Sequence, residues 1–128
     1  MSSISPIGQF RSNVQWYLEG NTPNFSSELV ASLIVALKLL AIDLGSINND
    51  SQHELAIWLK TLSARSLQDN SQLCEIVERL GALNSLMPEY SSGSRPFRDA
   101  IVQLILLAEH SNDLRFRKLL LDLARSIA

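Results

Sequence analysis

The chain has 128 residues, of which 46% are hydrophobic and 19% are charged. This composition is typical of one folded domain and argues against a disordered chain or a membrane-embedded one. Thirteen acidic and eleven basic residues give a net charge of −2, far from the strongly basic balance of a dedicated nucleic-acid-binding domain. We therefore expect one domain over residues 1–128. The lone cysteine, Cys74, is consistent with a reducing, cytoplasmic location.

The sequence predicts neither a secretory signal nor a membrane span. The first residues lack a basic segment followed by an apolar one. The longest apolar run, residues 29–42, is shorter than the roughly 20 residues that a helix needs to cross a bilayer. This run is therefore expected to be a helix of a globular protein.

Two helices are predicted in the first third of the chain. The first covers residues 6–20, because Pro6 suits the first helical position, apolar residues follow at helical spacing, and Gly20 favours a helix end. The second starts between residues 22 and 26 and runs to Gly45. It contains the long apolar run.

The third and fourth predicted helices occupy the middle of the chain. Ser51 and Glu54 have the spacing of a capping box, which predicts the start of the third helix. The fourth helix opens at Asn70 or Ser71, and Pro88 ends it.

A flexible loop and two further helices complete the prediction. Proline, serine and glycine are concentrated in residues 88–95, which is typical of a loop. A fifth helix begins near Pro96, and Asn112 and Asp113 are suited to cap a sixth. Because no segment shows sustained alternation of β-branched residues, we expect no sheet.

Six short helices with short connections predict an all-α fold arranged as a compact bundle. A weak internal repeat supports an alternative arrangement. An offset of 44 residues aligns Ala56 with Ala100 and Asp69 with Asp113. This period lies in the range of HEAT and armadillo repeats, so a short HEAT-like stack of helix pairs is the alternative to a closed bundle.

The side chains that could carry chemistry are few and scattered. Neither His53 nor His110 has a second histidine or a cysteine within two turns, and Cys74 belongs to no CxxC or CxxH spacing. Glu109 and His110 are adjacent, so their side chains point about 100° apart on a helix. No glycine-rich phosphate loop is present. We expect no metal, no cofactor and no catalysis, with a pocket for a small molecule as a remaining alternative.

The predicted helix over residues 26–45 gives the strongest indication of a binding surface. Its residues 29–42 are apolar nearly all the way round, whereas a helix in the shell of a small bundle normally has a polar face. Either this helix is a central rod, or it presents an apolar strip to a second copy in a symmetric homodimer. The candidate contact residues are Ala31, Val35, Lys38 and Ile42.

Two aromatic residues are further candidate partner contacts. Trp16 and Tyr17 are adjacent and cannot both face one core, and exposed tryptophan is enriched at interfaces. Packing of Trp16 under residues 21–25 is the alternative. Tyr90, in the predicted loop, either contacts a partner or covers one end of the bundle.

Basic residues are concentrated towards the end of the chain. Residues 95–128 contain six basic and four acidic residues, whereas residues 1–94 contain five and nine. Arg115, Lys118, Asp122 and Arg125 share one face of the last predicted helix, and the three cations suit phosphate or an acidic partner. An ordinary solvated face is the alternative.

The sequence as a whole favours a non-catalytic helical protein–protein interaction module. It would act as an adaptor, regulator or assembly factor and would self-associate. The alternative is weak binding of nucleic acid or phosphate by the basic residues of the last helix.

Overall fold

The structure, a computed structural model, describes residues 27–127. These residues form six α-helices and no strand, which confirms the predicted all-α class. The helices are α1 (Ser27–Gly45), α2 (Asp50–Thr61), α3 (Asn70–Leu86), α4 (Pro88–Gly93), α5 (Arg95–Glu109) and α6 (Leu114–Ile127), with a 3₁₀ turn at Ser66–Gln68. The predicted helix over residues 6–20, and with it Trp16, lies outside the described residues.

The start of α2 differs from the prediction. Asn49, and not Ser51, is the N-cap residue, and its Oδ1 accepts hydrogen bonds from the backbone N–H groups of Ser51 and Gln52 at 2.9 and 3.3 Å. Asparagine caps a helix as well as serine does, and Asn49 has the extended backbone that a cap requires. The predicted capping box was therefore wrong by two residues.

The flexible loop predicted at residues 88–95 is also wrong, because most of this segment is the short helix α4. Pro88 occupies its first turn, where a missing N–H costs nothing. The buried hydroxyl of Ser91 donates to Asn84 on α3. Ser94 follows as the N-cap of α5, with its Oγ accepting from Phe97 N–H at 3.2 Å. Serines are typical of loops, but Ser91 and Ser94 here form hydrogen bonds with the neighbouring helix α3 and with the start of α5.

The helices pack around one continuous apolar core. α1 packs against both α2 and α5, α5 packs against α6, and α6 packs against α3. α2 makes little contact with α3, whereas α5 packs on α6. The 44-residue offset aligns the pair α2 and α3 with the pair α5 and α6, and these two pairs are packed differently.

Within residues 27–127, every helix is too short or too polar to cross a bilayer.

Candidate protein-interaction surface

Helix α1 is apolar on two opposite faces. Its inner face is buried against α2 and α5 and consists of Val30, Leu33, Ala36, Leu37, Leu40, Ala41 and Leu44. The opposite face is exposed, and its apolar residues, which we call the outer strip, are Ala31, Val35, Leu39 and Ile42. α1 therefore contributes one face to the core and leaves an apolar surface open on the other.

The outer strip is exposed to an unusual degree for large apolar side chains. Val35, Leu39 and Ile42 are 58%, 53% and 65% exposed. They are spaced by four and then three residues, which puts them side by side on one face of the helix. Exposed apolar residues that occur singly are common on soluble proteins, whereas a contiguous group indicates a binding surface.

Three of the four predicted α1 contact residues, Ala31, Val35 and Ile42, lie on the outer strip, and Lys38 lies exposed at its edge. Leu39 was missed by the sequence analysis. It follows Val35 by four residues and precedes Ile42 by three, so helical spacing alone could have identified it.

An open groove of about 470 Å³ runs beside the outer strip. Its apolar part is formed by Ala36, Leu39 and Ile42 of α1 and by Pro96 of α5. Arg95 and Asp99, which form an exposed ion pair at 3.9 Å, add a charged rim. The groove extends the apolar surface of the strip from α1 onto the first turn of α5.

Asp43 lies at the edge of this groove and joins three helices. Its Oδ2 accepts hydrogen bonds from the hydroxyl of Tyr90 on α4 and from Oγ of Ser94 at 3.2 Å. Burial raises the pKa of Tyr90 above its usual value, and the hydrogen bond to Asp43 raises it further. Tyr90 is partly buried and packs against the core.

The three candidate cations of α6, Arg115, Lys118 and Arg125, are exposed but do not form a purely basic surface. Arg115 donates to Oε1 of Glu78 on α3 at 3.1 Å. Asp122 is exposed on the same face of α6 as Lys118 and Arg125. The face therefore has mixed charge, with one of its three candidate cations already in an ion pair.

Cys74 is buried on the inner face of α3. Burial raises the pKa of its thiol, and the nearby carboxylate of Asp113 raises it further, so the reactive thiolate is disfavoured. Within residues 27–127 no three histidine, cysteine or carboxylate side chains are grouped to hold a metal ion.

Comparisons with protein-family models, with curated protein sequences and with solved structures found no match.

Proposed function

We propose that this chain is a non-catalytic helical protein-interaction module whose outer strip binds a second copy of the chain. The observation that carries the proposal is the exposure of Val35, Leu39 and Ile42 on a helix whose opposite face is fully buried. Removing these side chains from water on binding would contribute roughly 25 cal/mol per Å² of apolar surface. As a dimer, the module would serve as an adaptor, regulator or assembly factor.

A second copy is the occupant that the composition of the strip favours. Apolar residues spaced by three or four positions share one face of a helix, and such a face can pack against the identical face of a second copy. A two-fold axis brings the same patch of both copies together, which is the commonest closed assembly. The net charge of −2 opposes this association only weakly. Lys38, at the edge of the strip, can lay its alkyl chain along the interface and keep its ammonium group in water.

The size of the surface sets the expected affinity. From Ala31 to Ile42 the strip is about 17 Å long, at 1.5 Å per residue. An interface of standard size buries about 800 Å² on each partner, and a single helix strip of this length covers only part of that area. The groove with Pro96 enlarges the surface beyond α1. We expect a reversible dimer with a Kd on the order of micromolar or weaker.

The test compares two variants that place the same charge on exposed apolar positions. Val35→Asp lies in the strip, whereas Leu86→Asp is the matched control, since Leu86 is 73% exposed and belongs to α3, a helix that does not line the groove. Both variants should fold, because neither side chain belongs to the core. Light scattering over a dilution series should find Val35→Asp monomeric and Leu86→Asp dimeric like the unmodified chain.

Two results would contradict the proposal. The first is an unmodified chain that is monomeric at every concentration measured. The second is a dimer that Val35→Asp and Leu86→Asp leave equally intact, which would place the interface elsewhere. A Val35→Asp chain that fails to fold would show that the strip belongs to the core, and this would also overturn the proposal.

A further inference from the structure

We infer that Tyr90 is a positioning residue for the self-association surface. Its hydrogen bond to Asp43 of α1 keeps the α5 side of the groove in place against α1. This inference rests on the proposed function. It assigns to Tyr90 an indirect role, in place of the direct partner contact that the sequence suggested.

The contacts form a continuous path from α4 to the groove. The Tyr90 hydroxyl donates to Asp43 Oδ2, and Ser94 Oγ donates to the same oxygen at 3.2 Å. Ser94 Oγ also accepts from Phe97 N–H at 3.2 Å and so caps α5. Asp43 therefore ties α1 directly to the residue that starts α5.

The groove depends on this tie because its two walls come from different helices. Leu39 and Ile42 belong to α1, whereas Pro96 belongs to the first turn of α5, shortly after Ser94, and Asp99 follows that turn. A carboxylate that accepts two hydrogen bonds is held more rigidly than one that accepts a single bond. Without the Tyr90 hydroxyl, Asp43 would keep only Ser94 as a donor among these contacts, and the first turn of α5 would be less firmly placed beside α1.

A purely stabilising role for Tyr90 predicts different behaviour, and a second hydrogen bond of α4 provides the control. The buried hydroxyl of Ser91 donates to Asn84 on α3, so it fixes the same short helix without reaching α1 or the groove. Tyr90→Phe and Ser91→Ala each remove one partly buried or buried hydroxyl. Both should lower the free energy of unfolding, but only Tyr90→Phe should affect the groove.

The experiment measures the dimer dissociation constant of the full chain and both variants by sedimentation equilibrium, under conditions in which each chain is folded. Tyr90→Phe should raise the dissociation constant about three- to tenfold, which matches the net contribution of one ordinary intramolecular hydrogen bond. Ser91→Ala should change it by less than about twofold. Equal effects of the two variants on dissociation, or no effect of Tyr90→Phe, would overturn the inference.

Hydrogen exchange gives a second readout that separates this inference from the proposed function. The amides of Phe97 and Arg98 in the first turn of α5 should exchange faster in Tyr90→Phe than in Ser91→Ala. If the unmodified chain is monomeric but this difference is present, the proposed function fails while the tie to α5 stands. If the chain dimerises but the amides and the dissociation constant are unaltered in Tyr90→Phe, only the role of Tyr90 fails.

Discussion

The guanidinium group of Arg117 is fully buried, and its Nε donates a hydrogen bond to the carbonyl oxygen of Ala108 at 3.1 Å. A second guanidinium nitrogen donates to the carbonyl oxygen of Ser111. Arg117 therefore satisfies backbone acceptors at the end of α5 from the following helix, where helical carbonyls have no partner within their own helix. In the sequence, Arg117 is one of six basic residues within residues 95–128, and its buried position was not predicted.

Arg117→Lys should destabilise the fold by about 2–4 kcal/mol, because lysine retains the buried charge but cannot reproduce the planar donor geometry. Arg125→Lys is the matched control, since Arg125 is exposed on the same helix. This control should change the free energy of unfolding by less than about 0.5 kcal/mol. Urea denaturation followed by circular dichroism measures both values. Similar losses in the two variants would mean that the buried hydrogen bonds of Arg117 contribute little.

The raised pKa of Tyr90 predicts how stability depends on pH. In the unfolded chain tyrosine ionises near pH 10, whereas in the folded protein Tyr90 keeps its proton to higher pH. Above about pH 10 the unfolded state therefore binds fewer protons than the folded state, so this contribution to stability is lost as the pH rises. Below that pH it is fully present.

The measurement compares the unmodified chain with Tyr90→Phe in urea at about pH 8 and about pH 11. The stability advantage of the unmodified chain should be smaller at the higher pH, because only that chain has an ionisable group at position 90. The effects of lysine and of the other tyrosine, Tyr17, are common to both proteins and cancel. An advantage that is independent of pH would show that the Tyr90–Asp43 contact does not favour the protonated hydroxyl.

The basic residues of α6 provide a test of the alternative function. The double variant Arg115→Gln/Lys118→Gln removes two of the three candidate cations without placing a new acid beside Glu78. We expect its retention on immobilised RNA and DNA to equal that of the unmodified chain at moderate salt. Loss of retention in the variant, together with a steep salt dependence in the unmodified chain, would instead support binding of nucleic acid by this face.

The helices were predictable because their periodic apolar residues also form the core. The N-cap of α6 illustrates this local information, since Asp113 accepts from Phe116 N–H at 3.0 Å as its position predicts. The helix α4 was not predictable in the same way. Its Ser91 is buried by a contact with Asn84 on a different helix, and composition alone favours a loop at that point.

The candidate surface was only partly predictable for a similar reason. Because the sequence of α1 is apolar nearly all the way round, it predicted an exposed apolar face that includes Val35 and Ile42. The groove depends on the packing of α5 against α1, which brings Pro96 next to Leu39 although they are far apart in the chain. The tie from Tyr90 to Asp43 spans 47 positions and has no local sequence signal.

The central claim is that the outer strip is exposed in the monomer and becomes buried against a second copy in the dimer. Cysteine labelling tests it most directly. Leu39→Cys is prepared in a Cys74→Ser background, so that it supplies the chain's one thiol, and Leu86→Cys in the same background is the control. The rate of maleimide labelling at Leu39→Cys should fall as the protein concentration rises through the range of dimerisation, while the rate at Leu86→Cys stays constant. Rapid labelling of Leu39→Cys at every concentration would contradict the claim. Protection at every concentration in a monomeric chain would also contradict it, because the strip would then be covered by another part of the same chain.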